Sequence, residues 1–173
     1  MLSENARNTI QALLPHYQTK QSAVIPALYL AQKDYGYLTD AAVREVAEIL
    51  DMDPTEVLGV SSFYTLLYDH PVGKYVLQIC DDLPCALRGA EEFADHVCRK
   101  LGVKSGQTTP DGMFTVERVM CLGACNKAPL MQVNLEFHEN LTTEQADRLI
   151  EDLRSGKVTT PGKSAIDLLL NNQ

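Results

Sequence analysis

Cys80 and Cys85 stand with four residues between them in Cys80-Asp81-Asp82-Leu83-Pro84-Cys85, and Cys121 and Cys125 with three between them in Cys121-Leu122-Gly123-Ala124-Cys125. Thirty-five residues separate the two pairs. Thiolates are soft anionic ligands, and four of them converging from two loops are what a tetrahedral S4 metal or an iron–sulfur cluster requires. Gly123 lets the backbone turn closely around inorganic atoms, with an N–H able to point at a sulfur. Three chemistries compete. A 2Fe-2S cluster uses four cysteines, and the wide C-x4-C and C-x3-C loops suit a two-iron unit better than one compact ion. Structural zinc also takes four, but most often as C-x2-C pairs stapling a domain that lacks a core. A dithiol redox pair is typically C-x2-C and leaves two cysteines unexplained.

The fifth cysteine, Cys98, falls on the apolar side of a predicted helix with Ala94 and Leu101 and reads as a small hydrophobe. Residues 1–79 contain no cysteine. The opening Met1-Leu2-Ser3-Glu4-Asn5 has no basic stretch leading into an apolar core, so a secretory signal and an oxidising compartment are not expected. An odd total also fits poorly with full disulfide pairing.

The cysteines need elements to position them. Tyr75–Ile79 is apolar and β-rich, a buried strand ending at Cys80, and Met113–Met120 reads as a strand ending at Cys121. If these strands are neighbours, both cysteine loops emerge at one end of one sheet. Between them Leu87, Ala90, Phe93, Ala94, Val97 and Leu101 recur at helical spacing until Gly102, which places Cys85 in the first turn of that helix. Leu130–Val133 is a third strand, and Thr142 with Gln145 makes a capping box for a helix through Arg154.

Upstream of the turn His70-Pro71-Val72-Gly73 the chain reads as short helices. One is built on Ala6, Ile10, Leu13 and Leu14, and a second on Val24 to Ala31, closed by Gly36. Thr39 caps a third, and Asp53-Pro54-Thr55-Glu56 starts a fourth through about Val60, with another expected over Ser62–Tyr68. The class is therefore α+β: an N-terminal helical bundle over 1–72, a β-α-β-β-α domain over 73–156, and a C-terminal extension over 157–173.

Composition excludes other functions. The 173 residues carry 15 Lys plus Arg against 23 Asp plus Glu, a net charge of −8, divided −5 and −3 between 1–72 and 73–173. That balance argues against a nucleic-acid binder. No apolar run approaches the ~20 residues of a membrane helix; Leu168-Leu169-Leu170 near the end is only three long. There is no G-x-G-x-x-G. Gly156 to Ser164 misses a phosphate-binding loop by one residue, contains Pro161 and follows a helix rather than a strand. His16, His70, His96 and His138 show no ligand spacing. Tyr35, Tyr37, Tyr64 and Tyr68 lie near helix ends, where they could serve a partner surface.

Gly73-Lys74-Tyr75 leading to Cys80-x4-Cys85, then Cys121-Leu122-Gly123-Ala124-Cys125, Ala128-Pro129 and Met131-Gln132-Val133-Asn134, resembles the thioredoxin-like 2Fe-2S subunit of NADH:quinone oxidoreductase (respiratory complex I). Ile25-Pro26-Ala27-Leu28, Gln32-x-x-Tyr35-Gly36-Tyr37-Leu38 and Gly59-Val60-x-Ser62-Phe63-Tyr64-Thr65 extend the resemblance over roughly residues 5–155. It implies a helical bundle followed by a thioredoxin-like domain holding one 2Fe-2S cluster on Cys80, Cys85, Cys121 and Cys125. It also implies an oxidoreductase subunit that carries electrons without being catalytic alone, beside a partner that binds FMN and NADH. The place implied is cytoplasmic, in the peripheral arm of a membrane-associated complex, with no membrane insertion of its own. NAD-linked hydrogenases and formate dehydrogenases share this subunit, and a zinc-stapled interaction module is the remaining alternative. One departure stands out: Met120 occupies the position before the second pair where many relatives have Glu.

Overall fold

A computed structural model of the chain describes residues 1–160, which divide into two compact units, one of Met1–Pro71 and one beginning at Val72. The change from helical to strand patterning in the sequence is thus a change from one core to another. Part of the 157–173 extension, including the last four residues of the near-miss loop and the Leu168–Leu170 run, lies outside the described residues.

The first unit contains α1 (Glu4–Leu13), α2 (Val24–Tyr35), α3 (Asp40–Leu50) and α4 (Pro54–Phe63). Ser3, Thr39 and Asp53 cap α1, α3 and α4, each side chain accepting a backbone N–H left free by the first turn. Gly36, at φ +85°, ends α2 by donating its N–H to Gln32 O at 2.8 Å. Ile10, Leu28, Val46, Leu50 and Val57 fill the core between these helices.

The helix expected over Ser62–Tyr68 does not form. Instead α4 continues without a break to Phe63, and the backbone turns extended at Tyr64. The buried side chain of Gln32 supplies the reason: its Nε2 donates to Leu66 O at 2.9 Å, and its Oε1 accepts from Tyr68 N at 2.6 Å. A buried amide satisfied at both ends holds those backbone groups in place of a helical ladder. Tyr68 is consequently buried rather than a surface residue, whereas Phe63 and Tyr64 are exposed.

The second unit is built on a five-stranded sheet of order β2-β3-β1-β4-β5. Its strands are β1 (Tyr75–Cys80), β2 (Gln107–Thr108), β3 (Phe114–Val119), β4 (Met131–Val133) and β5 (Glu136–His138). β1 and β3 run parallel, pairing Tyr75 with Phe114 through to Cys80 with Val119, and the other three pairings are antiparallel. A parallel pair needs a crossover, which α6 (Ala90–Leu101) supplies. Alternate residues Tyr75, Leu77, Ile79, Phe114, Val116, Met131 and Val133 bury one sheet face against α6 and α7 (Thr143–Arg154). Thr142 and Gln145 form the capping box of α7.

The strands β2 and β5 escape a reading of the sequence because they are two and three residues long and mostly polar, without the apolar run that marks β4. The helix read from Leu87 onward is also divided. A four-residue α5 (Leu83–Ala86) holds Cys85, and Gly89, at φ +84°, interrupts the chain before α6 begins. Leu87 therefore lies outside α6 and is exposed instead of core.

Candidate metal centre

Parallel pairing of β1 with β3 brings both cysteine loops to the same end of the sheet. Cys80 is the last residue of β1 and lies opposite Val119, the last of β3, two residues before Cys121. Asp81 N–H still reaches Val119 O at 3.3 Å, so the loops leave the ladder together. Cys85 follows on α5, whose N-cap Asp82 accepts from Leu83 N, and Cys125 opens a 3-10 turn over Cys125–Lys127.

The four thiols form two pairs. Cys121 Sγ and Cys125 Sγ are 3.4 Å apart, and Gly123 N–H points at Cys121 Sγ from 3.4 Å. Gly123 adopts φ +81°, which any side chain would strain. Cys80 and Cys85 are buried with Ala90, Ala128 and Leu130 in a small apolar nest edged by Leu122 and Ala124, while Cys121 is exposed and Cys125 half-buried. Burial, above all, pushes the Cys85 thiol up to about 12, reinforced by its hydrogen bond with Cys80 and by the charges of Cys80, Cys125 and Cys121. The Cys125 thiol is raised too, first by its hydrogen bond to Cys121 and then by burial and by the Cys121 and Cys80 charges. Sulfurs from both loops thus feel one another. Such mutual repulsion is relieved when cations bind, so the donors suit a cationic inorganic group.

Two thiolates on one tetrahedral metal with bonds of about 2.3 Å stand roughly 3.8 Å apart. The Cys121–Cys125 spacing is already near that value. Among the described residues no three His, Cys, Asp or Glu side chains are grouped to hold a single ion. Each loop brings two of the four thiols to this end of the sheet.

Cys98 stays apart from the four. It is half-buried on α6 against the main core and lines a cavity of about 610 Å³ with Asp95, Arg99, Lys104 and Arg118. Burial also raises its thiol. His70 and His96 pair with Asp69 and Asp147 at 2.6 and 2.9 Å. Met120, Leu83 and Leu87 flank the cysteine loops and are 77, 69 and 79% exposed. Arg118, which reaches Asp81 beside Cys80, has no signal in the sequence, because no spacing rule marks a contact between a strand and a distant loop.

A helical unit followed by a thioredoxin-like sheet with paired cysteine loops at one end defines a class of iron–sulfur protein. Residues 10–154 match the thioredoxin-like 2Fe-2S ferredoxin family, and the chain belongs to it. It is 42% identical over 154 residues to a subunit of the NADH-quinone oxidoreductase of Rhizobium meliloti, covering 89% of this chain and 92% of that one. It is 41% identical over 149 residues to NADH-quinone oxidoreductase subunit 2 of Thermus thermophilus, covering 83% and 82%. Among solved structures, the NAD+-reducing NiFe-hydrogenase in its H2-reduced state superposes with a TM-score of 0.69 at 24% identity, over 80% of this chain and 23% of the hydrogenase chain. That likeness is one of fold. Among the described residues no helix is long and apolar enough to cross a membrane.

Proposed function

We propose that this chain is the electron-carrying subunit of an NADH-quinone oxidoreductase, with Cys80, Cys85, Cys121 and Cys125 as the ligands of one 2Fe-2S cluster. The observation that carries the reading is the pairing of the four thiols at the shared end of β1 and β3. The similarity to the Rhizobium meliloti subunit along 92% of that protein supports the host complex. When bound, such a cluster accepts and returns one electron at a time. The protein's part is to fix and tune. The Cys80–Cys85 nest excludes water on one side, Gly123 N–H offers a hydrogen bond to Cys121 sulfur, and the raised thiols release protons as metal enters.

Residues 1–72 act as a helical platform, 73–156 as the electron-carrying domain and 157–173 as an extension. The partner is the FMN- and NADH-binding subunit, in a cytoplasmic peripheral arm of a membrane-associated complex. Exposed Leu83, Leu87 and Met120 beside the cysteine loops support a protein covering this end. Hydride chemistry belongs to the flavin of that partner.

Anaerobic purification followed by iron, sulfide and zinc analysis tests the reading. Two irons and two sulfides per chain, with a one-electron EPR signal after dithionite reduction, are expected. Stoichiometric zinc without visible absorbance would overturn it. Co-purification with an NADH-oxidising flavoprotein that reduces quinone is expected, and co-purification with a hydrogen- or formate-oxidising enzyme would reassign the host.

A further inference from the structure

We propose that Arg118 is a positioning residue for both cysteine loops and raises the reduction potential of the group they hold. This rests on the cluster reading above. Arg118 lies on β3 opposite Ile79 and three residues before Cys121. Its Nη2 donates to Asp95 Oδ1 at 2.5 Å and to Glu91 O at 3.5 Å, both on α6, while Nη1 stands 3.9 Å from Asp81 Oδ2. Asp81 follows Cys80 directly. The Arg118 backbone N–H is held in turn by Ser105 Oγ at 3.1 Å. One guanidinium therefore ties the first cysteine loop to α6, from a strand that runs into the second cysteine loop.

The side chains of Arg118 and Asp81 are only 27 and 30% exposed, so water screens this pair less than an open surface pair. Planar forked donors can serve two carboxylates at once, which a lysine ammonium does less well. The charges have a definite sign. Reduction adds an electron to an anionic thiolate-ligated unit, so the Asp81 carboxylate beside Cys80 opposes it and Arg118 offsets that opposition. Removing Arg118 deletes a cation and unmasks Asp81, and both changes favour the oxidised form.

The test uses the full chain, reconstituted anaerobically with iron and sulfide, as parent, Arg118→Ala, Arg118→Lys, Asp81→Asn and the Arg118→Ala/Asp81→Asn double variant. EPR-monitored redox titration is the readout, with iron content and thermal midpoint recorded alongside. Arg118→Ala is expected to be three- to tenfold less reduced at a fixed poise, tenfold being about 59 mV for a one-electron couple. Arg118→Lys keeps the charge without the fork and should fall between Arg118→Ala and the parent, Asp81→Asn should raise the midpoint, and the double variant should fall closer to the parent than Arg118→Ala. If Arg118→Ala does not load iron, a higher midpoint for Asp81→Asn and a midpoint below the parent's for Arg118→Lys carry the proposal. Unchanged midpoints in Arg118→Ala and Asp81→Asn, or a change in thermal midpoint alone, overturn it while leaving the cluster reading intact. A parent chain that takes up no iron or sulfide overturns both.

Discussion

Cys121 Sγ lies 3.4 Å from Cys125 Sγ on the exposed side of the site, while Cys85 is buried against Cys80 on the other. Replacing any of these four sulfurs by oxygen exchanges a soft donor for a hard one at nearly constant side-chain shape. Cys80→Ser, Cys85→Ser, Cys121→Ser and Cys125→Ser are each expected to lose or severely perturb the EPR signal of the reduced protein and most of its iron. Cys98→Ser, on α6 outside both pairs, should retain both. Parental spectra for Cys121→Ser would remove it from the ligand set.

Met120 adjoins Cys121 and is largely exposed. A carboxylate there adds a negative charge near the anionic site. One side chain away in a water-like dielectric, a unit charge contributes on the order of 0.5–1 kcal/mol, roughly 20–40 mV for one electron. Met120→Glu should lower the midpoint by about this amount in a redox titration. An equal or higher midpoint refutes the idea that Met120 raises the potential of this chain above that of a Glu-bearing one.

His138 on β5 has its Nε2 buried without a hydrogen-bond partner among the described residues. Burial pushes its imidazole below the ordinary 6.5, with Glu136 acting in the opposite sense. Between the folded value and 6.5 the unfolded chain binds more protons than the native one. Stability from this group is therefore present above 6.5 and is lost as pH falls through 6.5 towards the folded value. Urea midpoints of the metal-free chain should decline over that range, and His138→Phe should flatten the decline. Parallel curves for the two proteins would exclude His138 as the source.

Gly73 packs so tightly that an added Cβ would lie 2.8 Å from the carbonyl carbon of Phe114 and 2.9 Å from its nitrogen. Those are backbone atoms of the strand paired to β1, and they cannot swing aside. Its N–H also donates to Thr115 Oγ1 at 2.6 Å. Gly73→Ala should destabilise the chain by about 1–3 kcal/mol. Gly59→Ala, inside α4 with nothing within 4 Å of its Cβ position, should stabilise it by about 0.5–1 kcal/mol. Thermal or urea denaturation compares the two, and a neutral Gly73→Ala would contradict the packing.

Much of the local structure can be read from residue type and order alone. The caps at Thr39, Asp53 and Thr142, the stops at Gly36 and Gly102, and the strands leading to Cys80 and Cys121 depend on near neighbours in the chain, and the structure bears them out. The spacing of the four thiols, and the chemistry open to them, are likewise properties of composition and order.

Other features rest on contacts between residues far apart in sequence. Gln32 reaches 34 and 36 residues along the chain to hold Leu66 and Tyr68, which cancels a helix that local pattern favours. The short β2 and β5 exist because β3 and β4 present edges to pair with, not through their own propensity. The four cysteines are visible as letters, but spacing does not tell which are buried, that they stand as two pairs, or that Arg118 bridges Asp81 and Asp95 beside them. Sequence determined the donors and the loops that carry them. The parallel pairing of β1 with β3 decided where those loops meet, because a crossover through α6 joins strands that no local signal places side by side.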